Sequence, residues 1–260
     1  MIDIHSHILP NIDDGSQDLR SSIDQLRRMA RGGVRRVYLT SHYFRGHYHY
    51  SRADYDSKFE DFINACPTDV PELLPGFEVF IQPGIVDDVI ESNLCLGDSR
   101  YVLIESDLNG LPVDFYHNVY PLLHKGYRPI LAHAERYVSI MKRPSEARKL
   151  AALNIYLQVN AGSMQGLYGE KVKETAIRLI DEGWAHIVAS DDHVRTDYDS
   201  FFQAWNWIRE HVDETTANLL MREHPAMIAE NQKIPYTYVE VKRPRQRKHR
   251  TRLQKILGLK

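Results

Sequence analysis

Seven short runs of apolar, largely β-branched residues recur along the chain, at 2–5, 36–40, 73–78, 101–105, 128–132, 155–160 and 186–190. Each has the length of a buried strand. Helical spacing of apolar residues fills several of the intervals. Within 16–31, Leu19, Ile23, Leu26, Met29 and Ala30 recur at that spacing, and Gly32-Gly33 behind them supplies a stop. Segment 115–124 runs into Lys125-Gly126, and 172–182 runs into Gly183. Strand, helix, glycine, strand is the order of parallel βαβ units, and seven of them predict an α/β barrel, closed or nearly so. An open doubly wound sheet is the alternative, though no Gly-x-Gly-x-x-Gly follows any of the strands. Helices predicted at 200–210 and 214–228 close the barrel. A boundary near Ile234 gives a barrel domain over 1–234 and a tail over 235–260.

At 260 residues and 43% hydrophobic content, the chain suits one domain of this size. No apolar run approaches the ~20 residues that span a bilayer, and Met1-Ile2-Asp3-Ile4-His5 lacks the regions of a secretory signal. Two cysteines, Cys66 and Cys95, are too few for a disulfide framework and suit a reducing cytosol. A cytoplasmic location is expected. The net charge of −2 conceals an asymmetry: nine of the 33 Lys and Arg residues fall in 242–260, where there is no Asp or Glu, leaving 24 basic against 35 acidic side chains and a net of −11 elsewhere. The acidic body would repel a nucleic-acid backbone, so no nucleic-acid partner is expected. The tail reads either as a solvated end or as a docking segment. Leu253, Ile256, Leu257 and Lys260 lie at helical spacing, placing an apolar stripe beside the basic one, as for contact with the inner membrane surface or an acidic partner.

Candidate chemistry lies at the strand ends. The first strand ends in His5-Ser6-His7, with Asp13-Asp14-Gly15 in the loop after it; the second runs into His42; the third and fourth end in Glu78 and Glu105; His133 follows the fifth; Asp191 and His193 follow the seventh. One such residue is ordinarily a loop residue or a helix cap. Nine on one rim of a parallel barrel, the rim where active sites form, predict a metal centre. Converging buried carboxylates need cations to neutralise them. His5 and His7, at alternate positions of one strand, share a face. Mixed nitrogen and oxygen donors without cysteine suit Mn²⁺, Fe²⁺ or Mg²⁺, with Zn²⁺ possible.

These residues resemble the polymerase-and-histidinol-phosphatase (PHP) superfamily, and within it the metal-dependent bacterial protein-tyrosine phosphatases of capsule and exopolysaccharide loci. The resemblance rests on 1–15 and on Thr40-Ser41-His42, Pro75-Gly76-Phe77-Glu78, Leu103-Ile104-Glu105, His133-Ala134-Glu135-Arg136 and Ala189-Ser190-Asp191-Asp192-His193, and spans about 1–230. It implies a distorted (β/α)₇ TIM-like barrel and two or three divalent ions, Mn²⁺ foremost. His5, His7, Glu78 and Asp191 would hold one ion; Glu78, Glu105 and His133 a second; Asp14, His42 and His193 a third. Arg136 would grip phosphate, with Asp191 and His193 beside it at the reaction. The place of a second family arginine is taken by Tyr198, and Arg195, in the same loop at a different spacing, is the candidate to substitute. Asp192 stands where the family has a small or apolar residue and would add negative charge beside the third ion.

The implied activity is hydrolysis of phosphotyrosine on a bacterial tyrosine kinase that regulates capsule or exopolysaccharide synthesis, by a hydroxide bridging the metals. A small phosphomonoester such as histidinol phosphate is the alternative substrate, and a non-catalytic docking module the alternative of another class. A thiolate route is excluded by spacing: the sixth residue after Cys66 is Glu72 and after Cys95 is Tyr101, so neither forms Cys-x₅-Arg. Arg45, with His47, Tyr48, His49 and Tyr50, forms an aromatic and basic loop that either packs on the barrel or receives a phosphotyrosyl peptide. The glycine-rich stretch 162–169 reads as a flexible connection.

Overall fold

A computed structural model describes residues 1–235, so the expected basic tail falls almost wholly outside the described residues. Seven strands form one sheet in chain order: β1 (Ile2–Asp3), β2 (Arg36–Tyr43), β3 (Glu72–Phe80), β4 (Tyr101–Glu105), β5 (Arg128–Leu131), β6 (Tyr156–Asn160) and β7 (Ile187–Ala189). All six neighbouring pairs are parallel. The two edges approach beyond β1 and β7, where Asp191 N–H donates to the His5 carbonyl (2.9 Å) and His7 N–H to the Asp192 carbonyl (2.8 Å). The result is the nearly closed barrel expected. β1 is shorter than 2–5 because residues 5–7 bond to both edges instead of extending one ladder: Thr40 N–H also donates to the Ser6 carbonyl at 2.8 Å.

Alternation along the strands divides the core. Tyr38, Leu103, Ile130, Tyr156 and Ile187 pack inside the barrel with Ile4, and Ile228 and Ile234 join them. Val37, Val102, Leu131, Leu157 and Val188 face the surrounding helices. Continuing upward by steps of two, the inward positions turn polar: Tyr38 leads to His42, Gly76 to Glu78, Leu103 to Glu105, Tyr156 to Gln158 and Asn160, and Ala189 to Asp191. The same parity that fills the barrel below thus builds the rim above.

The expected helices are present as Leu19–Arg31, Val113–His124, Glu170–Asp181 and Asp199–His211. The predicted 214–228 helix is helical throughout but changes pitch, from Glu214–Asn218 through a π turn at Leu219–Glu223 to His224–Ala229. Pro225 lacks the N–H that would continue the α pattern there. Helix Arg52–Ala65 was not visible as a pattern because it buries only Tyr55 and Phe62; its Ser51–Asp54 capping box fixes where it starts. The stretch expected as a flexible connection contains most of a short helix, Ala161–Met164, so the expectation is corrected.

Candidate metal centre

His5 Nε2 lies 3.2 Å from His7 Nε2, and 3.3 Å from both Glu78 Oε2 and Asp191 Oδ1. His7 Nε2 is 3.3 Å from the same Glu78 oxygen and 3.5 Å from the same Asp191 oxygen. Donors bound at ~2.1 Å to one ion stand about 3.0–3.4 Å apart, so these four atoms have the mutual spacing of a coordination sphere. Two further groups adjoin the first: His42 with Glu78 and Glu105, and His7 with Asp14, His42 and His193. His133 Nε2 is 2.9 Å from Glu78 Oε1 and 3.8 Å from Glu105 Oε2. The structure therefore brings all nine expected ligands together. The grouping differs from the resemblance in three respects: His7 and His42 each stand in two groups rather than one, and His133 lies beside Glu78 and Glu105 without completing their group.

Glu78 carries the test of fit. Its Oε2 is buried and makes no hydrogen bond, yet it faces nitrogens of three imidazoles: His5 and His7 at 3.3 Å and His42 at 3.2 Å. Such an arrangement costs several kcal/mol unless positive charge sits within it. The titration directions agree. Burial works against a charged Glu78, but His5 and His42 hold its carboxyl well below the ordinary range. Burial likewise opposes protonation of His42, and Glu78 then lifts it to about 10. The cluster demands cations, and the donor set of imidazole and carboxylate suits divalent metals.

Residues outside the nine expected ligands hold those ligands in place. Asp13 Oδ2 accepts from His7 Nδ1 at 2.9 Å and from the His42 N–H at 3.0 Å. Gln158 Oε1 accepts from His5 Nδ1 and from the His133 N–H, both at 3.0 Å. Donating through Nδ1 leaves Nε2 of His5 and His7 with a free electron pair for a metal. Asn160 Nδ2 donates to Asp191 Oδ2 at 2.6 Å and its Oδ1 accepts from Gln158 Nε2 at 2.7 Å. The one strand without a ligand at its end thus supplies the support. Its signal was two amides at alternate positions of an otherwise apolar strand.

Arg136 NH1 lies 3.3 Å from Asp191 Oδ2, with its guanidinium 4.3 Å from the Tyr168 ring centroid. Arg195 NH2 donates to Asp14 Oδ2 at 2.9 Å. Both arginines line a cleft of about 480 Å³ over the candidate ligands. Arg45 does not line it: its Nε pairs with Asp88 at 3.1 Å and its guanidinium donates to the Pro83 carbonyl. Of the three arginines expected at the substrate, Arg45 is thus the one that the structure places outside the cleft. In the same loop Tyr48 stacks on His42, ring centroids 5.3 Å apart, and Tyr50 donates to the His42 carbonyl, so the loop packs against a ligand. Tyr198 is buried and donates to Asp3 Oδ2 at 2.5 Å. The Asp192 carboxylate accepts from Gln25 at 2.8 Å and from the Val194 N–H at 3.0 Å, and burial raises its pKa to about 6. Asp192 is thus occupied structurally rather than adding an open charge beside the third group. Burial pushes the Cys66 and Cys95 thiols up to about 11 and about 12, the reverse of an activated thiolate.

The model of the capsular polysaccharide synthesis family CpsB/CapC matches residues 1–230. The tyrosine-protein phosphatase YwqE of Bacillus subtilis is 36% identical over 197 residues, which cover 74% of this chain and 77% of that protein. The crystal structures described as YwqE from Bacillus subtilis and CpsB from Streptococcus pneumoniae, unique metal-dependent tyrosine phosphatases, include one that superposes with a TM-score of 0.82 at 30% identity, over 94% of this chain and 100% of that one. A histidinol phosphate phosphatase of Lactococcus lactis shares the fold, with a TM-score of 0.53 at 12% identity over 85% of this chain and 96% of that one.

Proposed function

The chain belongs to the CpsB/CapC family of capsular polysaccharide synthesis, and on that premise we propose that it is a metal-dependent protein-tyrosine phosphatase. The observation that carries the proposal is the buried Glu78 oxygen, without a hydrogen bond, facing three imidazoles beneath a cleft lined by Arg136. His5, His7, Glu78 and Asp191 would hold one ion, Glu78, Glu105 and His133 a second, and Asp14, His42 and His193 a third, with His42 also beside the second; Mn²⁺ is the proposed metal. Bound divalent ions would supply Lewis acidity that makes water nucleophilic near neutral pH and neutralises phosphoryl oxygens.

The chain's own groups do the rest. Arg136, held by Asp191 and Tyr168, offers a planar fork for two phosphoryl oxygens. Arg195, anchored on Asp14, presents a second positive charge on the same cleft. His193 donates from Nδ1 to the Asp191 carbonyl at 3.0 Å, which would leave the Nε2 electron pair for the third ion. The walls of the cleft exclude part of the solvent, so each of these charges acts in a lower dielectric than water.

The proposed substrate is phosphotyrosine on a bacterial tyrosine kinase that controls capsule or exopolysaccharide synthesis. The basic segment 242–260 is proposed to concentrate the enzyme at the inner membrane surface or on an acidic partner, within the cytoplasm. Among the described residues, no helix is long and apolar enough to cross a membrane. Comparing turnover of a phosphotyrosyl peptide with that of histidinol phosphate tests the substrate class. Faster turnover of the peptide is expected; preference for histidinol phosphate, or no turnover of either, would contradict the proposal.

A further inference from the structure

Most of the cleft wall is charged or hydroxylated, and among the described residues lining it only Leu108 and Leu167 are aliphatic. Leu167 is 61% exposed. Its position is built rather than accidental. Gly166 and Gly169 both take left-handed backbone angles, φ +84° and +94°, folding 166–169 back onto helix Ala161–Met164. Gly162 leaves the space for that return: a Cβ there would stand 2.9 Å from Leu167 Cδ1. The next residue, Tyr168, lays its ring under the Arg136 guanidinium.

We infer that this turn is the element that recognises an aryl phosphate: Leu167, with Leu108, receives the aromatic ring of the substrate, while Tyr168 positions Arg136 for its phosphoryl group. The inference rests on the phosphotyrosine reading above and adds the source of its selectivity. A phenyl ring reaching the cleft needs an apolar surface beside the phosphate-binding arginine, and a shorter alkyl phosphate does not use one. Tyr168 acts through Arg136: stacking restricts the guanidinium to one plane, and the 3.3 Å contact to Asp191 restricts its rotation within that plane.

The test uses the metal-loaded full chain and one peptide in phosphotyrosine and phosphoserine forms. Leu167→Ser should lower the ratio of kcat/KM between the two forms about tenfold, mainly through KM for the phosphotyrosine form. Equilibrium binding of phenylphosphonate against methylphosphonate, measured by calorimetry, should lose selectivity to a similar degree. Tyr168→Ala should instead weaken both peptides alike, and Tyr168→Phe, which keeps the stack, should restore both. A wild-type ratio well above one that Leu167→Ser leaves unchanged would overturn the role of the turn and leave the phosphatase reading intact. A wild-type ratio near one would overturn both together. Loss in Tyr168→Phe equal to that in Tyr168→Ala would overturn the stacking role.

Discussion

His133 and Asp191 reach the centre from backbone angles that few non-glycine residues adopt, φ +36° and +56°. Such angles persist where surrounding bonds over-determine them. Here Gln158 bonds the His133 N–H and Asn160 bonds the Asp191 carboxylate. Gln158→Leu, close in volume, removes the acceptor for both His5 Nδ1 and the His133 N–H. Metal affinity should fall roughly 10–100-fold, as when partners of ligating imidazoles are removed elsewhere, with circular dichroism unchanged. Wild-type affinity in a metal titration would show that Gln158 is only filling space. The cysteines make the opposite prediction. Cys66→Ser with Cys95→Ser should keep activity within about threefold, because neither thiol lines the cleft and burial keeps both protonated. A folded double variant that loses several orders of magnitude of phosphotyrosine turnover would reinstate a thiolate.

Between β1 and the first helix, one glycine sets the loop that carries Asp13 and Asp14. A Cβ at Gly15 would stand 2.1 Å from the His7 carbonyl oxygen, a backbone atom that Ser16 N–H already bonds at 2.9 Å. Gly15→Ala must therefore push the loop outward, taking Asp13 off His7 and Asp14 off its group. A displacement of about 1 Å at reacting groups costs on the order of 10²-fold in rate. Activity should drop by about that much while thermal unfolding shifts little; unchanged kinetics would mean that the loop does not set the site. Elements also explain what could be read in advance. Strand ends were legible because burial on a parallel sheet leaves polar residues only where the rim begins, as Glu78 and Glu105 illustrate. Helix Arg52–Ala65 was not, because two buried side chains make no periodic signal. The engagement of Arg45 with Asp88 was not legible either, since it pairs groups 43 positions apart that only the fold brings together. Gln158 and Asn160 carried a usable signal, polar residues on a buried strand, but a support role appears only once their partners are known.

For the whole molecule, the proposed division of labour is between a barrel that does the chemistry and a basic segment that sets location. Removing 242–260 deletes nine positive charges and none of the nine proposed ligands. Turnover of phenyl phosphate should hardly change, whereas turnover of a phosphotyrosine kinase on anionic vesicles should fall at low salt, each basic residue near the surface contributing about 1 kcal/mol at most. High salt should abolish the difference. Equal rates on vesicles with and without the segment would contradict a docking role. The central claim, that divalent ions held by the rim ligands perform the hydrolysis, is tested most directly by metal content and activity on one sample. Protein stripped with a chelator should contain no Mn²⁺ and turn over no phosphotyrosyl peptide. Adding Mn²⁺ should restore both in parallel, with two or three ions per chain at full rate. Full activity in metal-free protein, or restored binding without restored turnover, would contradict it.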